Sequence, residues 1–86
     1  MSGASMLRRA AVTFAERSQA YGSPARTMEI LAKRWSITLG HPVTPAQAAL
    51  CLIDLKLTRL QHDPKHQDSA IDVAGYCAVL HEVNES

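Results

Sequence analysis

The chain has 86 residues, of which 47% are hydrophobic and only 5% aromatic, and its formal net charge at pH 7 is +1. A chain of this length is expected to form one domain with a modest core, and it holds no uncharged apolar run of the roughly 20 residues that a membrane span needs. The composition therefore excludes a membrane-spanning helix and predicts a cytoplasmic protein.

The charges divide unevenly along the chain. Residues 1–35 carry six basic and two acidic side chains, whereas residues 36–86 carry three basic and six acidic side chains. Such asymmetry can steer an anionic partner to one face or pair two copies head to tail. A set of solvated helix faces is the simpler interpretation.

The first two of four predicted helices are bounded by glycine and proline signals. One helix covers about residues 5–20 and ends before Gly22, because glycine past the last turn accepts the left-handed conformation that closes a helix. The second covers residues 24–39, with Ser23 as its N-cap and proline at its first position. Gly40 ends it.

The third helix has the clearest start, because Thr44 and Gln47 form a capping-box pattern before a body that covers residues 48–60. That body is apolar almost all round, so we expect it at the centre of the bundle or in a subunit interface. Asp54 and Lys56 interrupt it and point about 200° apart. Each charge therefore needs a partner on another helix or a water-filled cleft.

The fourth helix is predicted from Asp68, its N-cap, to Glu82, after a loop that contains Pro64. Gly75 lies in the interior of this helix, where glycine costs about 1 kcal/mol relative to alanine. We therefore expect another helix to approach the backbone closely at Gly75.

The pattern as a whole predicts an all-α, compact bundle of about four helices. The single domain spans residues 1–86, with residues 1–4 as a flexible start and residues 84–86 as a frayed end. Cys51 and Cys77 lie inside predicted helices and are expected to be reduced, buried small hydrophobes and not a disulfide.

Carboxylates on the third and fourth helices are candidate metal ligands. Asp68 and Asp72 lie one turn apart on one helix face and could hold a hard cation such as Mg²⁺, with Asp54 completing the site. In the structural alternative Asp68 caps the helix, Asp72 favours its positive end and Asp54 pairs with an arginine. Lys56 and Arg59 could offer a basic edge that binds phosphate.

Other sequence signals for chemistry are weak. His62 and His66 flank Pro64, which breaks the continuous helix that a zinc pair at this spacing requires. Glycine-rich phosphate loops, HExxH and paired CxxC motifs are absent. The third helix starts with small apolar residues where a DNA-recognition helix presents polar side chains, which argues against specific DNA reading.

Two stretches of the sequence carry a family resemblance. The patterns are Tyr21-Gly22-x-Pro24 and Asp68-Ser69-x-x-Asp72-x-Ala74-Gly75-Tyr76. Together they resemble an uncharacterised family of small phage and prophage helical proteins, over about residues 15–83. The resemblance implies association with a phage but no established activity.

The fourth helix is also similar, more weakly, to the last metal-binding helix of MazG-like all-α nucleotide pyrophosphohydrolases. That resemblance implies that Asp72 is a Mg²⁺ ligand, Asp68 a second ligand, and Lys56 or Arg59 a phosphate contact. The chain lacks the E-E-x-x-E helix of those enzymes, and Glu29 is the only acid on the second helix. If the scaffold is shared, we therefore expect this chain to have kept the bundle and lost catalysis.

Three functions stay open. The first expectation is a phage-type binding protein without catalysis or cofactor, which acts through a host or phage macromolecule, foremost a protein, such as a component of host defence. Its expected interface residues are Tyr21, Trp35, Gly75 and Tyr76. The alternatives are a Mg²⁺-dependent, pyrophosphohydrolase-like or nucleotide-binding protein, and a structural or assembly oligomer as small as a homodimer.

Overall fold

The computed structural model describes residues 1–85, which form four α-helices and contain no strand. The helices are α1 (Gly3–Tyr21), α2 (Pro24–Leu39), α3 (Pro45–His62) and α4 (Gln67–Glu85). The predicted all-α bundle is confirmed.

The ends of α1 and α2 and the starts of α2 and α3 form through the chemistry that the sequence indicates. The Ser23 side chain caps α2, and the capping box of α3 is complete, with Gln47 N–H donating to Thr44 Oγ1 at 3.1 Å and Thr44 N–H donating to Gln47 Oε1 at 2.9 Å. Gly22 and Gly40 close α1 and α2 with φ values of 87° and 75°. Side chains disfavour such positive φ angles, so glycine suits both positions.

The N-cap of α4 is His66, and the prediction that Asp68 caps this helix is wrong. The Ser69 N–H donates to Nδ1 of His66 at 3.3 Å, and Ser69 Oγ lies 2.7 Å from the same nitrogen. Ser69 is only 1% exposed, so the imidazole supplies the partner that its buried polar atoms need. Asp68 lies in the first turn instead, where a carboxylate favours the positive helix end.

The two terminal helices are longer than predicted. α1 begins at Gly3, after Ser2 accepts a hydrogen bond from the Ser5 N–H, and α4 continues to Glu85. Of the predicted frayed end, Ser86 lies outside the described residues.

α4 is the central helix of the described chain, because it packs against each of the other three. α2 and α3 also pack together, whereas α1 and α2 make little direct contact. The buried core lies between α2, α3 and α4 and consists of Met28, Ala32, Ala48, Ala49 and Val79. α3 therefore lies beside the centre, and its expected role in a subunit interface stays a prediction.

Both cysteines lie on the surface of the protein. Cys51 and Cys77 are free as expected, but both are exposed, because each lies on a face of its helix that the other helices leave open. The prediction that they are buried is wrong. Within residues 1–85, none of the helices combines the length and the apolar character that crossing a bilayer requires.

Candidate binding cleft

An open cleft lies between α1 and α2, with α4 as its floor. Its volume is about 270 Å³, and Leu52 of α3 also contributes to its wall. Most of the lining is apolar, and its apolar and aromatic side chains include Phe14, Met28, Leu31, Ile71, Tyr76 and Val79. The cleft exists because α1 and α2 both pack on α4 without closing on each other.

Gly75 lies in the floor of this cleft. A Cβ atom placed on Gly75 would meet no heavy atom within 4 Å, and its φ is not positive. The prediction that another helix approaches the backbone closely at Gly75 is therefore wrong, because α1 and α2 stand apart at this level. Neither packing nor backbone conformation within the described chain requires a glycine here.

Asp72 connects three helices at the polar edge of the cleft. Its Oδ1 lies 3.0 Å from Nη1 of Arg17 on α1, and its Oδ2 lies 3.0 Å from Nζ of Lys56 on α3. The side chains of Asp72 and Lys56 are each 14% exposed, whereas that of Arg17 is 57% exposed. The two cations thus hold both carboxylate oxygens.

The pKa of Asp72 reflects two opposed effects. Burial by itself would raise it, but the hydrogen bonds from Lys56 and Arg17, together with their positive charges, outweigh burial. The pKa of Asp72 therefore lies below its ordinary value, and the group is a carboxylate at neutral pH.

The three predicted metal ligands have different surroundings. Asp72 is paired with the two cations, Asp68 is exposed at the start of α4, and Asp54 is exposed on α3. The sequence predicted that Lys56 needs a partner on another helix, and Asp72 of α4 is that partner. Asp54 faces solvent and therefore needs no partner. Among residues 1–85, no group of three or more His, Cys, Asp or Glu side chains is arranged to hold a metal ion.

The two predicted phosphate contacts also differ. Lys56 faces Asp72 at the edge of the cleft, whereas Arg59 is exposed and lines a separate shallow depression. The other residues around that depression are Thr58, His62, Asp63 and His66. Lys56 is thus the one of the pair that pairs with a residue of the cleft lining, although it does not line the cleft itself.

Three of the four predicted interface residues gather at the cleft. Tyr21, Gly75 and Tyr76 line it, and Tyr21 is 81% exposed. Trp35 instead packs against the core cluster.

Arg17 is the cleft residue that the sequence analysis missed. Leu7 and Ala11 on α1 are exposed, whereas Phe14, on the side of α1 that faces the cleft, is half-buried. The residues of α1 that line the cleft include Ala10, Phe14, Arg17 and Tyr21 at helical spacing. Arg17 lies three residues after Phe14 and four before Tyr21, and this position of a cation on an otherwise apolar helix face could have identified it.

The fold and the cleft define a small all-α bundle with one open apolar site at its surface. The chain belongs to the family described as a domain of unknown function, DUF6378, whose sequence model matches residues 5–84. It is also 35% identical over 69 residues to the Gene 55 protein of Mycobacterium phage L5, a match that covers 79% of this chain and 44% of that protein. The chain thus spans less than half the length of this relative. No solved structure matches it.

These comparisons support the predicted membership of an uncharacterised phage family. The likeness to MazG-like pyrophosphohydrolases stays a prediction.

Proposed function

We propose that this chain is a phage-type binding protein whose cleft receives an apolar side chain of a host or phage macromolecule. The observation that carries the proposal is the open apolar cleft with Gly75 in its floor. Glycine inside a helix costs about 1 kcal/mol relative to alanine. Because nothing in the described chain requires this glycine, an occupant that comes close to the α4 backbone accounts for it.

A protein is the macromolecule that this cleft suits best. Its walls offer apolar side chains with few polar groups, and such a cavity accepts an apolar anchor residue. Tyr21 stands largely exposed beside it, and tyrosine is enriched among the residues that dominate binding energy in protein interfaces. The proposal assigns no catalytic role to the chain.

A cleft-filling variant tests the proposal. Gly75→Leu places a side chain in the cleft at a position where a Cβ atom meets no heavy atom within 4 Å, and Ala15→Leu, on an exposed part of α1 outside the lining, is the matched control. Each protein is immobilised, incubated with lysate of the chain's own host, and the retained proteins are quantified by mass spectrometry. We expect a partner that wild type and Ala15→Leu retain and Gly75→Leu loses. A retained set that Gly75→Leu leaves unchanged would contradict the proposal.

A second candidate is a nucleotide-binding or pyrophosphohydrolase-like protein. The observation that favours it is that Arg17 lines the same cleft as Phe14 and Tyr76, and that Lys56 pairs with Asp72 of that lining. Cations there could bind phosphate while a base enters the apolar space.

Thermal unfolding with nucleoside triphosphates, with and without Mg²⁺, separates the two candidates. A ligand at about 100 times its Kd stabilises the folded chain by about 2.7 kcal/mol. A metal-dependent shift that Asp72→Ala abolishes would favour the nucleotide candidate. Unchanged melting temperatures would count against the nucleotide candidate and favour the protein-binding proposal.

A third candidate is an assembly role, which the outer face of α3 favours. Leu50 and Leu57, which lie seven residues apart on one side of the helix, are each 48% exposed there. Light scattering tests it, with Leu57→Glu as the variant that should dissociate an oligomer. A monomer at every concentration would contradict this role.

A further inference from the structure

The edge of the cleft has an excess of positive charge. Arg17 and Lys56 bring two cations to the single carboxylate of Asp72. The lowered pKa of Asp72 keeps that carboxylate ionised at neutral pH, and the three groups then carry one net positive charge. An occupant of the apolar cleft therefore meets an uncompensated cation at its edge.

Arg17 is the group that can bind an incoming anion. A guanidinium has five N–H donors. Within residues 1–85, its hydrogen bond goes from Nη1 to Asp72, and the side chain is 57% exposed. Lys56, at 14% exposure, is less accessible. Arg17 can thus engage an anion while it keeps its contact with Asp72.

The N-terminal part of the chain also has an excess of positive charge. The first 35 residues, which include α1 and most of α2, carry six basic and two acidic side chains. An excess of this kind attracts an anionic partner and raises its rate of association.

We infer that the occupant of the cleft is an acidic, apolar segment of a protein partner. Its apolar side chain lies over Gly75, and a neighbouring carboxylate binds Arg17. The inference rests on the proposed function and adds the chemistry of the partner. A carboxylate fits because its two oxygens match the fork of the guanidinium, and an apolar side chain fits because the cavity wall is mostly apolar.

Three capped peptides that differ at one position test this chemistry. The probes are acetyl-Leu-Phe-Xaa-Leu-amide with Asp, Asn or Lys as Xaa, titrated into the isotope-labelled full chain while NMR chemical shifts are followed. We expect the Asp peptide to bind about three- to tenfold more tightly than the Asn peptide, and the Lys peptide to bind most weakly. The shifts should include Arg17 and Gly75, and added salt should reduce the preference.

Two arginine variants test whether Arg17 is the source of the preference for the Asp peptide. Arg17→Gln should bring the ratio of the affinities for the Asp and Asn peptides to about one, because the group that distinguishes a carboxylate from an amide is lost. Arg9→Gln, exposed on α1 outside the cleft lining, should keep the difference. Retention of the full preference by Arg17→Gln, with a circular dichroism spectrum like that of wild type, would overturn the inference.

The remaining outcomes separate this inference from the proposed function. Equal affinities for all three peptides, or no binding by any of them, would overturn the acidic-segment inference. The capture experiment with Gly75→Leu tests the proposed function independently of the peptides, so the two results can be told apart. Tighter binding of adenosine monophosphate than of the Asp peptide at the cleft would overturn the inference in favour of the nucleotide candidate.

Discussion

The side of the molecule built from α2, α3 and α4 is filled, whereas the side that α1 completes is open. Ala48 and Ala49 are 0% exposed in the core, and Met28 is 4% exposed. α1 contributes one buried residue, Ala10, and leaves Leu7 and Val12 at 59% and 57% exposure. Both sides use the same central helix, so the difference comes from what packs against α4.

This comparison suggests a division of tasks. Alanines at the α2–α3–α4 contacts let the helices approach closely, which excludes water and stabilises the fold. α1 is joined to α4 through Phe14 and through the pair of Arg17 with Asp72, and the space beside these contacts is the cleft. Stability is therefore expected to reside on one side and binding on the other.

Removing a core side chain should have the largest effect. Trp35→Ala is expected to lower the free energy of unfolding by about 2–4 kcal/mol, because a large side chain that packs against the core cluster and does not line the cleft is lost and a void remains. Leu7→Ala, on the exposed part of α1, should change it by less than about 1 kcal/mol. Urea denaturation measures both. Equal losses would contradict the division between the two sides.

Loss of the ion pairs of Asp72 with Arg17 and Lys56 should have the second-largest effect on stability. Asp72→Asn should lower the free energy of unfolding by about 1–3 kcal/mol, because Lys56 then stays largely buried without a carboxylate partner. The control is Glu29→Gln. The ion pair of Glu29 with Arg26 is exposed, so this substitution should lower the free energy of unfolding by less than about 1 kcal/mol. A smaller loss in Asp72→Asn than in the control would show that the cleft edge does not stabilise the fold.

Asp72 also predicts a pH dependence. Its pKa is lower in the folded chain than in the unfolded chain. Its contribution is therefore fully present above the ordinary carboxyl pKa and is lost as the pH falls through the lowered value. Between about pH 5 and pH 2, wild type should lose more stability than Asp72→Asn. Parallel pH profiles of the two proteins, followed by circular dichroism, would contradict this assignment.

The cap of the central helix should have a smaller effect. His66→Ala is expected to cost about 1 kcal/mol, because the Ser69 N–H loses its acceptor. His66→Asn should keep most of the stability, since an asparagine side chain can accept the same hydrogen bond. If both variants unfold alike in urea, the imidazole does not act as a cap.

The smallest predicted change in stability is a gain. Gly75→Ala should raise the free energy of unfolding by about 0.5–1 kcal/mol, because alanine favours the helix and its Cβ meets no neighbour. The same variant should weaken binding of the partner if the occupant lies against the α4 backbone. A loss of stability would mean that the cleft is closed in solution, and the comparison between the two sides would then fail.

Much of the fold could be predicted because helix signals act over a few residues. The bounds of α2 agree with the prediction at both ends, and the capping box of α3 is formed as expected. The cap of α4 was misassigned because histidine is a less usual cap than aspartate, and its role depends on a loop turn that brings His66 to the helix end. Burial of the two cysteines was wrong because an apolar helix does not reveal which of its sides the neighbouring helices cover.

The sequence by itself determined the helices, their order and most of their ends, since caps and breakers act between near neighbours in the chain. Only the tertiary structure decided which charges meet. Arg17 and Asp72 are 55 residues apart, and their contact depends on how α1 packs against α4. It also decided that α4 is central and that Gly75 opens a cleft. Local signals define each helix, whereas the spaces between helices depend on the side chains of all of them at once.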